Sequence, residues 1–251
     1  MSGKPNYELG LVSVSFRDRS PQEIVRAMKE AGLTAVEWGS DVHAPCCGRD
    51  RLLELKNLQD AYQIRCSSYG TYFRIGVTPR EELPRYIDAA KTLGTDVLRL
   101  WCGDRNSEMY DADERKRLFE ECRSLAETAD ASGVTLCMEC HQKSFTNRPE
   151  SALLLMNEVD SPRFRMYWQP QEYETDEENL RYALLIRPYV RHIHVFHWIG
   201  AQHLTLAESS VLWKKYLNCF FGDRTLLLEF MPDNRIESLK AEAEALRNIV
   251  K

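Results

Sequence analysis

The sequence predicts an α/β fold, a single-domain (β/α)8 TIM barrel, and two observations lead to this prediction. Short apolar runs rich in branched residues alternate with longer amphipathic stretches, which is typical of repeated strand–helix units and a parallel sheet. Eight such units fit within 251 residues, close to the roughly 250 residues of this barrel, whereas an open doubly wound sheet usually has fewer strands. No linker or low-complexity run divides the chain, so we expect one domain over residues 1–251.

Each unit supplies one predicted strand and one predicted helix. The predicted strands are residues 9–14, 34–38, 64–69, 97–102, 134–140, 164–168, 192–196 and 225–230. The predicted helices are residues 21–31, 51–62, 80–93, 113–132, 149–158, 176–186, 206–219 and 235–250. The two kinds of element therefore alternate along the chain.

The ends of several helices carry recognisable signals. Ser20, Pro21 and Glu23 form a predicted capping box with proline at the first helical position. Gly94 and Gly133 each follow a predicted helix and precede a strand, where glycine readily adopts the left-handed conformation that ends a helix. These turns feed each helix into the next strand.

Composition narrows the classes of function. Charged residues make up 28% and hydrophobic residues 43% of the chain, which is typical of a globular protein in water. The formal charge is −5 with no cluster of lysine and arginine, so we do not expect a nucleic-acid partner. No apolar run approaches the roughly 20 residues that span a membrane. The amino-terminal residues lack an export signal, so we expect a cytoplasmic protein, and a homodimer is compatible with this barrel.

Polar side chains interrupt the apolar strands near their carboxyl ends, where active sites of such barrels lie. Glu139 and Glu229 each lie in an apolar run with no lysine or arginine beside them, and His194 lies in the seventh predicted strand. Burying a carboxylate is costly without a positive partner. This mixed oxygen and nitrogen set suits one divalent ion, Mn²⁺, Mg²⁺, Co²⁺ or Zn²⁺. Such an ion and two carboxylates can also move protons on and off carbon next to a carbonyl.

Five segments of the chain resemble the xylose isomerase-like TIM barrel family, the sugar phosphate isomerase/epimerase group. The segments are residues 10–16, 35–43, 139–141, 192–195 and 228–230, so that the resemblance spans nearly the whole chain. It implies a TIM barrel with a single metal ion and a small carbohydrate substrate.

The resemblance also implies which residues act. The family holds its metal with Glu, Asp, His and Glu from its last four strands, which here correspond to Glu139, Gln169, His194 and Glu229. Gln169 replaces the family's aspartate, and Glu172 replaces the histidine three residues later. An amide in place of a carboxylate should weaken metal binding. In the epimerases of this family the two glutamates are the acid/base pair, which implies catalytic roles for Glu139 and Glu229.

Further candidates for substrate binding lie near the predicted strand ends. His43 and His141 are candidates for binding substrate hydroxyls or supporting the site, or are ordinary loop residues. Arg99 either binds a carboxylate or phosphate of the substrate or forms an internal ion pair with Glu37, which we favour. Four tryptophans are candidate walls for a sugar ring. They are Trp38, Trp101, Trp168 and Trp198.

These residues favour a metal-dependent isomerase or epimerase of a sugar or sugar-like polyol. Dehydration of a keto-polyol begins with the same proton abstraction, so a dehydratase is an open alternative. The change at Gln169 leaves a second alternative, a carbohydrate-binding barrel without turnover. A metal-dependent nuclease is disfavoured, because six histidines and a charge of −5 provide neither a multi-zinc site nor a basic face for DNA.

Overall fold

Strands and helices alternate along residues 5–251, the part of the chain that the computed structural model describes. The strands are β1 (Tyr7–Val12), β2 (Ala35–Gly39), β3 (Arg65–Ile75), β4 (Val97–Cys102), β5 (Thr135–Glu139), β6 (Phe164–Trp168), β7 (Val190–Val195), β8 (Trp198–Ile199), β9 (Gln202–His203) and β10 (Arg224–Leu228). The α-helices are α1 (Pro21–Glu30), α2 (Arg49–Ala61), α3 (Leu83–Leu93), α4 (Ala112–Ala131), α5 (Pro149–Val159), α6 (Asp176–Ile186), α7 (Ser210–Leu217) and α8 (Leu239–Val250).

Eight of the strands close into a parallel barrel in the order β1-β10-β7-β6-β5-β4-β3-β2. The remaining two, β8 and β9, form a small antiparallel hairpin after β7. The predicted (β/α)8 barrel is therefore confirmed. Because all eight barrel strands run in the same direction, their carboxyl ends meet at one mouth of the barrel.

The predicted signals at helix ends are also confirmed. The Ser20 hydroxyl accepts a hydrogen bond from the backbone N–H of Glu23, and the Glu23 carboxylate accepts one from the backbone N–H of Ser20. Gly94 and Gly133 have φ angles of 83° and 71°. These glycines take the left-handed conformation at which α3 and α4 give way to the next strands.

The boundaries of some elements differ from the prediction. Strand β3 continues to Ile75, since Phe73 and Ile75 extend the buried side of the strand past the predicted end. Helix α7 begins only at Ser210, and α8 begins at Leu239 after a single 3₁₀ turn. The hairpin was not predicted. Of these differences, the hairpin matters most for function, because it lies at the carboxyl-end mouth of the barrel.

The barrel interior is layered from apolar to polar. A buried apolar cluster lies inside the barrel and consists of Val12, Val14, Val97, Cys137, Tyr167 and Leu227. His192 is buried beside Tyr167, with the two ring centroids 5.3 Å apart. Charged residues lie above this cluster. Within residues 5–251, no helix is both long enough and apolar enough to cross a membrane.

Candidate metal centre and active-site cavity

Four side chains with metal-ligating atoms converge at the carboxyl ends of neighbouring strands. Glu139 is the last residue of β5, and Gln169 directly follows β6. His194 lies in β7, and Glu229 directly follows β10. All four side chains are buried. The strand order places β5, β6, β7 and β10 side by side, which is why residues far apart in sequence meet here.

The imidazole of His194 lies at the centre of this group. Its Nδ1 atom lies 2.9 Å from Oε1 of Gln169, 3.3 Å from Oε2 of Glu229 and 3.4 Å from Oε1 of Glu139. Two atoms bound to a common ion at about 2.1 Å lie roughly 3.0–3.4 Å from each other. The ligating atoms of Glu139, His194 and Glu229 all lie within 4.8 Å of one another, so these residues can hold a metal ion.

Glu37 lies on the other side of the His194 ring. Its Oε2 atom is 3.6 Å from Nε2 of His194 and accepts a hydrogen bond of 2.9 Å from the Ser68 hydroxyl. A carboxylate on the far nitrogen of a ligating histidine fixes the orientation of the ring and strengthens it as a ligand. Sequence reasoning treated Glu37 only as a partner of Arg99. The available signal was a fully buried carboxylate in a short apolar strand.

Arg99 connects this carboxylate to the candidate metal ligands. Its Nε donates to Oε1 of Glu37 and its Nη1 donates to Oε2 of Glu139, each over 2.8 Å. The predicted ion pair between Arg99 and Glu37 is confirmed. No lysine or arginine lies beside Glu139 in its own strand, and Arg99 reaches it from the adjacent strand β4. A neighbour across the sheet is invisible when each strand is considered alone.

The charges of these buried groups depend on one another. Burial alone would raise the pKa of the Glu37 carboxyl, but Arg99 and His194 outweigh burial and hold that pKa well below its usual value. The same balance, with Arg99 as the main positive charge, lowers the pKa of Glu139 to about 2. Burial opposes the charged form of His194, yet Glu229 and Glu37 raise the pKa of its imidazole well above its usual value. Glu37 and Glu139 are therefore ionised, and this buried negative charge suits a divalent cation.

A cavity of about 320 Å³ opens above these residues toward solvent. Its floor includes Arg99, Glu139, Gln169 and Glu229. Its remaining walls are mixed aromatic and polar, formed by Val14, Arg17, Tyr72, Trp101, His141, Gln142, Gln171, Glu172, Phe196, Trp198 and Phe230. The candidates Arg99, Trp101 and His141 thus line the same cavity as the candidate metal ligands.

Three candidates for substrate binding do not line this cavity, and the two tryptophans among them face away from it. Trp38 is fully buried and donates its indole N–H to Gln59 outside the barrel. Trp168 packs among the aromatic side chains of α7 and the segment that follows it. In both strands, the alternation of side chains turns the tryptophan outward toward the helices. His43 is buried between the Ser13 hydroxyl and the Arg19 carbonyl.

The hairpin and the end of β10 add two aromatic walls to the cavity, the candidate Trp198 and also Phe230, which was not among the candidates. Trp198 stacks on His203 across the hairpin, with ring centroids 4.1 Å apart, and its ring lies 5.2 Å from that of Phe230. Phe230 directly follows Glu229 and has a φ angle of 53°, which is unusual for a residue with a large side chain. The backbone N–H of Phe230 donates a hydrogen bond of 2.9 Å to the Ser15 hydroxyl. Gly200 lies in the turn of the hairpin with a φ angle of 57°, and this glycine is the feature of the sequence that could have indicated the turn.

Comparison with known proteins agrees with this architecture. The chain belongs to the xylose isomerase-like TIM barrel family, whose pattern matches residues 25–219. The chain is 23% identical to a 3-dehydroshikimate dehydratase of Bacillus anthracis over 276 residues, covering 95% of this chain and 96% of that protein.

Two crystal structures show the same fold at low sequence identity. One is the probable 3-DHS dehydratase of petrobactin synthesis from Bacillus anthracis, with a TM-score of 0.81, 17% identity, and coverage of 96% of this chain and 99% of that one. The other is D-psicose 3-epimerase with D-tagatose from Clostridium cellulolyticum H10, with a TM-score of 0.69, 14% identity, and coverage of 97% and 99%. The chain is thus similar both to a dehydratase and to an epimerase.

Proposed function

We propose that this protein is a divalent-metal-dependent dehydratase that removes water from a polyhydroxylated ketone. The observation that carries the proposal is the unequal engagement of the two glutamates. Glu139 directs one oxygen at the His194 ring and commits the other to Arg99. The side chain of Glu229 makes one polar contact within residues 5–251, from its Oε2 to the His194 ring. One carboxylate is therefore free to move a proton, and the other is fixed.

A one-base site suits elimination better than epimerisation. Epimerisation at carbon requires proton removal on one face and return on the other, so two carboxylates of similar freedom are needed. Elimination requires one base and an acid for the departing hydroxyl. We therefore replace the sequence hypothesis that Glu139 and Glu229 form an acid/base pair: both glutamates would hold the ion, and Glu229 alone would also act as the base.

Each residue has a defined part in this proposal. Gln169, His194 and the two glutamates would hold the ion, which would polarise the substrate carbonyl and stabilise the negative charge that develops on it. Glu229 takes the proton from the carbon next to that carbonyl. The electron pair forms a carbon–carbon double bond as the β-hydroxyl leaves. His141 lines the same cavity, and its proton converts that hydroxyl to water.

The walls of the cavity are consistent with a ring-shaped, hydroxylated substrate. Trp101 packs against His141, with ring centroids 5.6 Å apart, and against Tyr72, with centroids 5.2 Å apart. Trp198 and Phe230, with ring centroids 5.2 Å apart, line the same cavity. Apolar walls with a few polar groups orient such ligands. The full-length similarity to a 3-dehydroshikimate dehydratase supports a cyclic hydroxy-ketone as substrate.

The proposal is tested with Mn²⁺-loaded protein in deuterated water and two substrates, 3-dehydroshikimate and D-psicose. We expect a product of 3-dehydroshikimate that has lost one water, measured by mass spectrometry. Glu229→Gln should lower the rate at least about 100-fold. Glu172→Gln is the matched control, because Glu172 lines the same cavity but is not a candidate ligand. The metal content of each variant is measured alongside.

The same experiment addresses the second candidate, a ketose 3-epimerase, which the fold shared with D-psicose 3-epimerase favours. Conversion of D-psicose to its epimer with deuterium at the inverted carbon would replace the dehydratase proposal with the epimerase. Absence of both water loss and deuterium incorporation, with metal bound, would contradict proton abstraction altogether and favour a binding barrel without turnover.

A further inference from the structure

Arg17 lines the active-site cavity but has no part in the proposed metal centre or proton transfer. It directly follows a 3₁₀ turn, Ser13–Phe16, which continues the chain from β1 at the carboxyl-end mouth. Tyr72 and Trp101 line the cavity with it. The Arg17 side chain is 43% exposed, so a ligand in the cavity can reach its guanidinium.

Three neighbours hold this guanidinium in place. Its Nε donates a hydrogen bond of 2.6 Å to Oδ2 of Asp41, and its Nη2 donates one of 2.6 Å to the Tyr72 hydroxyl. Its Nη1 donates one of 3.2 Å to the backbone carbonyl of Val14. The Tyr72 hydroxyl in turn donates to Oδ2 of Asp41 over 3.1 Å. The orientation of the guanidinium is therefore set before any ligand binds.

Two N–H groups of Arg17 are left for a ligand. A guanidinium carries five N–H donors, and the three hydrogen bonds leave one N–H on Nη1 and one on Nη2 without a partner within residues 5–251. A carboxylate takes two such N–H groups in two parallel hydrogen bonds. Arg99, the other arginine of the lining, is only 3% exposed and pairs with both Glu37 and Glu139.

The charges around Arg17 favour a ligand group with a single negative charge. Asp41 already pairs with the guanidinium, and three further carboxylates line the cavity. They are Glu139, Glu172 and Glu229. A phosphate ester carries about −1.5 to −2 charges at neutral pH, whereas a carboxylate carries one. Repulsion from the four acidic side chains is therefore smaller for a carboxylate.

We propose that Arg17 binds a carboxylate group of the substrate and so selects a hydroxy-ketone acid over a neutral sugar. This inference rests on the proposed dehydratase function, in which the metal centre holds the carbonyl of the same molecule. Arg17 and the metal centre contact two ends of one substrate within a cavity of about 320 Å³. Because its neighbours already orient the guanidinium, Arg17 loses little conformational freedom on binding.

Binding to Mn²⁺-loaded protein tests this inference without requiring turnover. The ligands are 3,4-dihydroxybenzoate, which 3-dehydroshikimate becomes on loss of one water, and catechol, which lacks only the carboxylate. Calorimetric titration gives the ratio of the two affinities. We expect the unmodified protein to prefer 3,4-dihydroxybenzoate, and Arg17→Gln to reduce this preference at least about tenfold. The affinity for catechol should stay unchanged, which shows that the variant is folded and holds its metal.

Two further variants separate paired hydrogen bonds from general charge. Arg17→Lys keeps the charge but not the two N–H groups in one plane, so it should also lose most of the preference. Arg19→Gln is the matched control. It removes the same charge two residues away, from an arginine that pairs with Asp18 and Glu23 and does not line the cavity. It should leave the preference unchanged.

A second pair of ligands, D-fructose 6-phosphate and D-fructose, distinguishes a phosphate from a carboxylate. We expect no preference for the phosphorylated sugar that depends on Arg17. Such a preference would overturn the inference, as would absence of 3,4-dihydroxybenzoate binding or an equal preference in the unmodified protein and Arg17→Gln.

The outcomes also separate this inference from the proposed function. Water loss from 3-dehydroshikimate without any effect of Arg17 on the preference would overturn the inference alone. A preference that depends on Arg17 in a protein that removes no water would overturn the proposed dehydratase function and leave Arg17 as a residue that binds carboxylates.

Discussion

Glu37 and Gln169 contact opposite nitrogens of one imidazole, that of His194. Oε2 of Glu37 lies 3.6 Å from Nε2, and Oε1 of Gln169 lies 2.9 Å from Nδ1. The ring is thus oriented from β2 on one side and presented to the other candidate ligands on the opposite side. Arg99 joins Glu37 to Glu139, so a candidate ligand and the group that orients another ligand belong to one network of charges.

Glu37→Gln should weaken Mn²⁺ binding about 10- to 100-fold, because His194 loses the carboxylate that orients it. It should also lower the free energy of unfolding by about 3 kcal/mol, since Arg99 stays buried with one carboxylate fewer. Metal titration and denaturant unfolding measure the two effects. Glu8→Gln, which removes an exposed ion pair with Arg65, should cost at most about 1 kcal/mol and leave metal binding unchanged. Similar metal affinities for both variants would contradict the role given to Glu37.

Gln169→Glu should tighten Mn²⁺ binding at least about tenfold, because it adds a negative charge at a ligand position while keeping the length of the side chain. Competition with a chelator of known affinity measures the change. Gln142→Glu adds the same charge to the same cavity away from His194 and should have a much smaller effect. Equal gains from both variants would show that general charge, rather than a ligand at residue 169, determines metal affinity.

Gly70 allows Glu37 and Arg99 to approach each other within the barrel. A Cβ atom at this position would lie 2.6 Å from Oε1 of Glu37 and 2.9 Å from Nη2 of Arg99. Gly70→Ala should therefore cost about 1–3 kcal/mol of unfolding free energy and weaken metal binding. Gly133→Ala meets no atom within 4 Å, although its φ angle of 71° is unfavourable for alanine. It should lower stability without changing metal binding, and a Gly70 variant with unchanged metal affinity would contradict the proposed coupling.

His43 should make stability depend on pH. Burial lowers the pKa of its imidazole in the folded protein, so the unfolded chain binds a proton more readily. Its contribution is complete above the unfolded pKa of about 6.5 and is lost as the pH falls below that value, at up to about 1.4 kcal/mol per pH unit. Denaturant unfolding at pH 7 and pH 5 measures the loss. His43→Gln should show a smaller loss over this interval, and an unchanged loss would assign the pH dependence to other groups.

The sequence was sufficient to predict the barrel, because the fold repeats one signal eight times and helix caps mark the boundaries. The candidate ligands Glu139, His194 and Glu229 could be predicted from the sequence for a related reason. A carboxylate or histidine that interrupts an apolar strand near its carboxyl end must face the same mouth. Gln169 followed from the resemblance to the family.

Contacts between side chains of different strands could not be predicted from the sequence. The bond from Arg99 to Glu139 depends on the register of β4 against β5, which no single strand reveals. Trp38 and Trp168 were misplaced because one position along a strand decides whether a side chain faces the barrel axis or the surrounding helices. The hairpin that brings Trp198 to the cavity is only two residues long on each side, too short to produce a periodic signal.

The metal content of the purified protein tests the central claim, that Glu139, Gln169, His194 and Glu229 form a working metal centre. Elemental analysis after equilibration with micromolar Mn²⁺ and removal of free ion would compare the unmodified protein with Glu229→Gln and with the cavity control Glu172→Gln. We predict about one ion per chain for the unmodified protein and the control, and loss of that ion in Glu229→Gln. An unmodified protein that retains no ion, or a Glu229 variant that retains as much as the control, would contradict the account.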